Sequence, residues 1–170
     1  MTSFAVRPAL PDDAENLMIL RLAYFQSQLE IGLLDVFADV EAHVRSGTPG
    51  LLTSSRVRVV VAEGEERLAG YAIASFRVVP GARQPSVCSI DEVFVSPQFR
   101  GTGLATPLVA KLLGEAALRQ VNRTQIRVLA GNPKARALWE RLGFVENVVI
   151  LEYTGPIPTP DTEKLRRGAE

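Results

Sequence analysis

The chain has 170 residues, 46% of them hydrophobic and 22% charged, which is the composition of one globular domain with a buried core. Its 19 basic and 19 acidic residues balance, so the broad positive surface of a nucleic-acid-binding protein is not expected. The single cysteine, Cys88, excludes an intrachain disulfide, and no apolar run approaches the roughly 20 residues of a membrane helix. Because a signal-peptide pattern is also missing, we expect a cytoplasmic protein without nucleic-acid or membrane partners.

The first third of the chain predicts one strand and two helices. Residues 4–7 form a short strand candidate, and Asp12 or Asp13 can cap the helix that follows. Apolar residues recur on two sides of this helix over 14–29, which predicts burial on two faces or the wall of a pocket. The second helix ends at Gly47-Thr48-Pro49-Gly50, and its apolar stripe is Val36, Phe37, Val40 and Val44.

The middle of the chain predicts three strands and a loop that binds an anion. Residues 57–62 and 68–76 form a hairpin, and a loop over 79–85 leads to a third strand at 87–95. A glycine-containing loop then opens a helix that extends to about residue 120. Pro107 requires this helix to begin near residues 103–106, because proline is tolerated only in the first turn. The free amides before the helix and the helix dipole favour a phosphate.

The last third predicts a strand at 125–129, a short helix and a final strand at 148–153. The helix is closed by Gly143 in a left-handed conformation, and Phe144 makes the apolar contact that often follows. Asn132 is placed to cap its start. These elements predict a mixed α/β domain over 1–154, and the proline-rich, charged residues 155–170 predict a loosely attached or disordered tail.

Two motifs resemble those of the GCN5-related N-acetyltransferase (GNAT) superfamily. Gln98-Phe99-Arg100-Gly101-Thr102-Gly103 matches (Arg/Gln)-x-x-Gly-x-(Gly/Ala), and residues 132–144 match Asn-x-x-Ala-x-x-x-Tyr-x-x-x-Gly-Phe with Trp139 in place of tyrosine. A Walker loop is excluded, and the Rossmann pattern fits poorly. The resemblance covers residues 4–153. It implies the acyl-CoA N-acyltransferase fold: a mostly antiparallel sheet of about six to seven strands, splayed between the strands at 87–95 and 125–129 and flanked by four helices.

The resemblance implies acetyl-CoA (coenzyme A) as co-substrate and no metal. The loop amides would hold its pyrophosphate, and Arg100 would add a positive charge. The strand before the loop would bind the pantetheine arm and the thioester through the backbone of Val93 and Val95. The cofactor-binding residues implied in this way are Val93, Phe94, Val95, Gln98, Arg100, Gly101, Thr102, Gly103, Leu104, Ala105, Asn132, Ala135 and Trp139.

Two adjacent carboxylates, Asp91 and Glu92, lie in this otherwise apolar strand, where charge is costly unless it is paired or used. Strand alternation puts Asp91 on the face of Val93 and Val95 and Glu92 on the other, unless a bulge changes the register. Similar acetyltransferases place an acidic general base on this strand. We expect Glu92 to be that base, with Asp91 as the second choice and a salt bridge or solvated face as the alternative.

Trp139 stands where the family's tyrosine can protonate the departing thiolate. An indole N–H donates a hydrogen bond but is not an acid near neutral pH, so this role is not carried over. Trp139 can instead contact the pantetheine arm or sulfur, or pack in the core. Solvent can protonate the thiolate, because a thiolate is a good leaving group.

We therefore predict an N-acetyltransferase that works by direct attack of a primary amine in a ternary complex. The two carboxylates favour a small cationic acceptor, and the first two helices with the loop at 78–85 would form the acceptor side. The alternatives are a non-catalytic acyl-CoA sensor on the same fold, an enzyme that acetylates a peptide or protein amine, and a nucleotide-phosphate binder. The oligomeric state, including a homodimer, stays open.

Overall fold

The structure is a computed structural model that describes residues 4–31, 39–64 and 67–150. Its strands form one sheet in the order β1-β2-β3-β4-β5, antiparallel from β1 to β4, with β5 parallel to β4. The strands are β1 Ala5–Pro8, β2 Val57–Glu63, β3 Leu68–Val78, β4 Ser86–Val95 and β5 Arg123–Ile126. The helices are α1 Ala14–Glu30, α2 Val40–Thr53, α3 Ala105–Leu118 and α4 Pro133–Arg141.

The two faces of the sheet are covered by different helices. α1 and α2 cover one face, and the buried residues of this α1-side core are Leu17, Leu20, Val59, Val61, Leu68, Tyr71, Ile73 and Phe94. The other face packs against α3, in an α3-side core that includes Leu108, Leu112 and Trp139. Full burial of one such leucine contributes roughly 1.5–3 kcal/mol, so the position of α3 and of the loop at its N-terminus is well determined by packing.

Local predictions at the ends of α3 and α4 are confirmed. α3 begins two residues before Pro107, as the missing N–H of proline requires. Asn132 caps α4 by accepting a hydrogen bond at 3.0 Å from the amide three residues on. After α4, Gly143 has a φ of +87°, and Phe144 packs edge-on against Trp139 with ring centroids 5.2 Å apart.

The start of α1 differs from the prediction that Asp12 or Asp13 caps it. Asp13 occupies the capping position, but its carboxylate makes no capping hydrogen bond to α1. It accepts instead from the Leu10 amide at 2.7 Å and from both terminal nitrogens of Arg7 at 2.7 and 2.9 Å. The Arg7 hydrogen bonds hold the pKa of Asp13 below its usual value. The Asp13 carboxylate, which was predicted to cap α1, is therefore bound by the Arg7 guanidinium instead.

The end of α2 also differs from the prediction. α2 does not end at residues 47–50 but continues through Pro49 to Thr53. Thr48 is fully buried, and its hydroxyl donates to the Val44 carbonyl at 2.6 Å. The other members of the predicted stripe, Val36 and Phe37, lie outside the described residues.

The described residues form five strands, fewer than the six to seven predicted. Residues 148–150 of the predicted last strand are not in a strand, and 151–153 lie outside the described residues, as does the tail at 155–170. β5 is shifted from the predicted 125–129, because its pairing with β4 stops at Ile126. The mixed α/β fold class with four flanking helices is confirmed.

Candidate active site

The sheet opens between β4 and β5, where the splay was predicted. β5 pairs with β4 only as far as Ile90. Asp91 is an extra residue on β4, because Ile90 pairs with Ala74 of β3 while Glu92 pairs with the preceding Ile73. Such a β-bulge bends the strand and disrupts the ladder. The end of β4 beyond the bulge therefore has one edge that β5 does not cover.

This open edge carries backbone groups of Val93 and Val95. The amide of Ser96 donates to the Ala69 carbonyl of β3 at 2.9 Å, and hydrogen-bonded positions alternate along an antiparallel ladder. The backbone of Phe94 therefore faces β3, as that of Ser96 does. The backbone groups of Val93 and Val95 face the opening. Of these three predicted residues, Val93 and Val95 present backbone groups to the opening, whereas the backbone of Phe94 faces β3 within the sheet.

The loop between β4 and α3 leaves its amides available to a ligand. Gly101 and Gly103 each have a φ of +81°, and a Cβ at either position would meet nothing within 4 Å. Within the described residues, the amides of Gly101, Thr102 and Gly103 donate to no acceptor. The Thr102 hydroxyl closes the loop by donating to the Phe99 carbonyl at 2.8 Å, and the buried Leu104 anchors its end. The result is an open cradle at the positive end of a helix dipole, which suits a phosphate.

The other predicted loop residues surround this cradle. Arg100 extends back along β4: its Nε donates to the Val95 carbonyl at 3.2 Å, and its guanidinium lies 5.7 Å from the centre of the Phe94 ring. The two terminal nitrogens of Arg100 keep their hydrogen-bonding capacity within the described part of the chain. Gln98 is exposed in the short turn before the loop, and Ala105 is half-buried in the first turn of α3.

The second motif places Asn132, Ala135 and Trp139 on α4. The Asn132 carbonyl oxygen accepts from the Ala135 amide, so its NH₂ group is left for another partner. Trp139 is only 6% exposed and packs in the α3-side core. Its indole N–H bonds to none of the described residues, yet it is not a buried unsatisfied atom, so it reaches solvent. Trp139 is therefore a core residue whose polar edge remains accessible.

Asp91 and Glu92 are neighbours with different surroundings. Glu92 is 9% exposed, and both of its carboxylate oxygens accept hydrogen bonds from Arg21, at 2.6 and 3.0 Å. The Tyr71 hydroxyl donates to the same carboxylate at 2.7 Å. Asp91 is exposed at the bulge. The structure thus buries the carboxylate predicted first as the base and exposes the one predicted second.

The surroundings of Asp91 and Tyr24 shift the pKa values of both side chains. Although Asp91 has exposed surface, its carboxylate is partly shielded from solvent, which raises its pKa. Hydrogen bonding with Ser75 opposes this rise, and the negative charge of Glu92 adds to it. Burial and the negative charges of Glu92 and Asp91 raise the pKa of Tyr24 to about 12. The negative charge of Asp91 also raises the pKa of Cys88, which lies in the α3-side core. The phenol of Tyr24 stays protonated at neutral pH.

Three residues of this site were not predicted: Arg21 and Tyr24 on α1 and Tyr71 on β3. Burial raises the pKa of Tyr71 well above its usual value, and Glu92 raises it further. Of the three, only Arg21 carries a sequence signal, because it is a lone cation among the apolar residues of a helix predicted to be buried on two faces. A buried cation requires a partner, but local sequence does not say which carboxylate supplies it.

The match to a known family covers this site. Residues 20–144 match the model of the Acetyltransferase (GNAT) family. The chain belongs to the GNAT acetyltransferase family. The matched residues include Arg21 on α1, the bulge at Asp91, the glycine loop and the whole second motif. The sequence-based assignment is thus confirmed, although Trp139 departs from the usual tyrosine.

Individual proteins are similar to this GNAT chain over most of its length. A mycothiol acetyltransferase of Acidothermus cellulolyticus is 30% identical over 79% of the chain, which spans 40% of that protein. The chain therefore spans about two fifths of this curated relative. Aminoglycoside N-acetyltransferase AAC(6')-Iy, solved with CoA, superposes with a TM-score of 0.75 at 18% identity, covering 92% of this chain and 97% of its own. A predicted acetyltransferase from Clostridium acetobutylicum, solved with acetyl-CoA, gives 0.73 at 19% identity, covering 89% and 96%.

The described ranges carry neither a membrane-spanning helix nor a metal-binding cluster. No helix there has the length and apolar character to cross a bilayer. The same residues hold no group of three or more His, Cys, Asp or Glu side chains placed to bind a metal ion. Cys88 is buried, and burial raises the pKa of its thiol to about 11, so it stays protonated at neutral pH.

Proposed function

We propose that this protein transfers the acetyl group of acetyl-CoA to a primary amine of a small cationic molecule, by direct attack in a ternary complex. The observation that carries the proposal is the open edge of β4. Along it lie, in chain order, the carboxylate of Asp91 at the bulge, the backbone of Val93, the amide of Val95, and the unbonded amides of the glycine loop.

The residues along this line fit coenzyme A. The amides of Gly101, Thr102 and Gly103 would hold the pyrophosphate, and Arg100 adds a positive charge at the adjoining end of β4. The pantetheine arm has amide groups that match the free backbone of β4 and the NH₂ group of Asn132. Acetyl-CoA supplies the acetyl group as a thioester, whose thiolate is a good leaving group.

An attacking amine must lose a proton, and we assign that proton to Asp91. Glu92 stays a candidate from sequence, but its oxygens already accept three hydrogen bonds and are buried. Asp91 is exposed, and its raised pKa brings it closer to the operating pH, where a general base is more effective. The ammonium first gives one proton to Asp91, directly or through a water, and the neutral nitrogen then bonds to the carbonyl carbon. The C–S bond breaks as the thiolate leaves, and the second proton of the nitrogen passes to the thiolate or to solvent.

We place the acceptor on the face covered by α1 and α2, where Tyr24 packs against Tyr71 and Phe94. An exposed, ionised Asp91 favours a cation over an anion at this position. Two similar proteins are named as acetyltransferases of small molecules, mycothiol in one case and aminoglycosides in the other. These observations support a small cationic amine.

A panel of amines tests the proposed function directly. The protein is incubated with acetyl-CoA and, separately, spermidine, kanamycin, glucosamine and a lysine-containing peptide, and the released thiol is measured with a chromogenic disulfide. We expect thiol release with a small amine and none with the peptide. Calorimetry with acetyl-CoA runs in parallel. Tight acetyl-CoA binding without thiol release across the panel would support the sensor alternative, and competition of ATP with acetyl-CoA would support a nucleotide-phosphate binder.

The variant Trp139→Tyr tests whether an acid limits turnover. Because a tyrosine fits the space of the indole, we expect the variant to fold with a loss of roughly 1–2 kcal/mol in unfolding free energy. We expect its turnover to stay within about threefold of the native value, since the thiolate leaves readily without a proton donor. Thiol release and thermal unfolding are measured on the same preparations. A tenfold or greater rise in turnover would show that the native enzyme lacks an effective acid.

A further inference from the structure

A buried polar network links both acceptor-side helices to the strand that carries Asp91. Arg21 of α1 is 3% exposed. Its Nη2 and Nε donate to the two oxygens of Glu92 at 2.6 and 3.0 Å, and its Nη1 donates to the Thr48 hydroxyl of α2 at 2.9 Å. Tyr71 of β3 donates to Glu92 from the other side at 2.7 Å. One guanidinium therefore joins α1, α2 and β4.

The geometry of this pair suits positioning better than proton transfer. A bidentate guanidinium–carboxylate pair restricts both side chains to one arrangement, because two parallel hydrogen bonds must be kept. Burial alone would lower the pKa of Arg21, but Glu92 outweighs this effect and raises it, so Arg21 stays charged. Glu92 has three donors on two oxygens and little exposed surface, which leaves no open approach for an amine or its water.

Fixing the Glu92 side chain also fixes the position of the β-bulge in β4. Glu92 is the residue immediately after the bulge and pairs with Ile73, whereas Ile90 pairs with Ala74. Asp91 lies between these two fixed neighbours. Holding the Glu92 side chain in the α1-side core therefore keeps the extra residue at Asp91, because a slip of one position would turn Glu92 to the opposite face.

We propose that Arg21 is a positioning residue that acts through Glu92 to hold the bulge and so present Asp91 to the acceptor amine. This proposal rests on the proposed function. Arg21 touches neither the amine nor the thioester. Its substitution is expected to lower kcat and to leave acetyl-CoA binding in place, because the glycine loop and the Val93 and Val95 backbone lie outside the network.

The test compares Arg21→Gln, Arg21→Lys, Glu92→Gln and the double variant Arg21→Gln/Glu92→Gln, using thiol release with acetyl-CoA and the most active amine of the panel. We expect Arg21→Gln to lower kcat at least tenfold, with the KM for acetyl-CoA within threefold. Arg21→Lys restores the charge and should recover part of kcat. The double variant should lose no more kcat than the worse single variant, because the two residues act as one unit. Assays run well below each melting temperature, which is expected to fall by about 10 °C in Arg21→Gln.

Arg58→Gln is the matched control. Arg58 Nε pairs with Glu115 at 3.1 Å between β2 and α3, so the variant breaks an ion pair on the other face of the sheet. We expect its kcat to be unchanged. Native turnover in Arg21→Gln, or kcat losses that multiply in the double variant, would overturn the positioning role. A native protein that releases no thiol with any amine would instead refute the proposed function.

Discussion

Asp91→Asn should lower kcat/KM for the acceptor amine by about 100-fold, because the variant keeps the size of the side chain but cannot take the proton of the amine. Acetyl-CoA affinity should stay within about threefold, since Asp91 lies away from the glycine loop. The measurements are thiol release over a range of amine concentrations and calorimetry with acetyl-CoA. Turnover within threefold of native would remove Asp91 from the mechanism.

The pH dependence gives this prediction a second readout. The pKa of Asp91 is raised, so the native kcat/KM should fall as the pH drops towards that pKa, at a pH above the ordinary aspartate value of 3.8. Asp91→Asn should lack this acid limb. The sign for stability is opposite to that of a salt-bridged carboxylate: a raised pKa means that the charged form costs stability as the pH rises. At neutral pH, Asp91→Asn should therefore be no less stable than the native protein.

Glu92→Gln is the informative comparison, because sequence alone predicts at least a tenfold loss of rate with acetyl-CoA binding intact. From the structure we also expect Glu92→Gln to lower the stability of the protein, since the variant leaves the charge of Arg21 buried without its partner. Removing one member of such a pair typically costs about 3–5 kcal/mol. A variant that loses rate with unchanged thermal unfolding would favour Glu92 as the base. Loss of both would support the positioning pair.

Gly103→Val should weaken coenzyme A binding at least tenfold. Its φ of +81° disfavours any residue with a side chain by about 1–2 kcal/mol, and the new side chain would occupy the open space beside the loop amides. Calorimetry with coenzyme A measures the change, and circular dichroism checks the fold. The result depends on the loop alone, so it does not require the acceptor to be known.

Gly81→Val controls for backbone strain. Gly81 has a φ of +78° and no atom within 4 Å of a built Cβ, so it matches Gly103 in both respects but lies in the β3–β4 loop. Coenzyme A affinity should remain within twofold of native in this variant. Equal losses at Gly81 and Gly103 would point to general destabilisation and would contradict phosphate binding at the loop.

Local chemistry was enough to predict the helix ends beside the glycine loop and in the second motif. Pro107 requires a helix start near it, and the amides before a helix are free wherever that helix packs. Gly143 adopts the left-handed conformation, and Asn132 the capping position, that were predicted for them. These predictions depend on interactions across a few residues, so they did not require knowledge of the fold.

The surroundings of the two carboxylates depended on the tertiary structure. Arg21 and Glu92 are separated by 71 residues, and their pairing exists only because α1 packs across β4. The bulge at Asp91 depends on how β3 and β4 pair, so counting alternate residues along one strand could not locate it. Sequence identified two carboxylates and the strand that carries them. Only packing decided that one is buried against a guanidinium and that the other faces solvent, because burial and partners are set by elements distant in the chain.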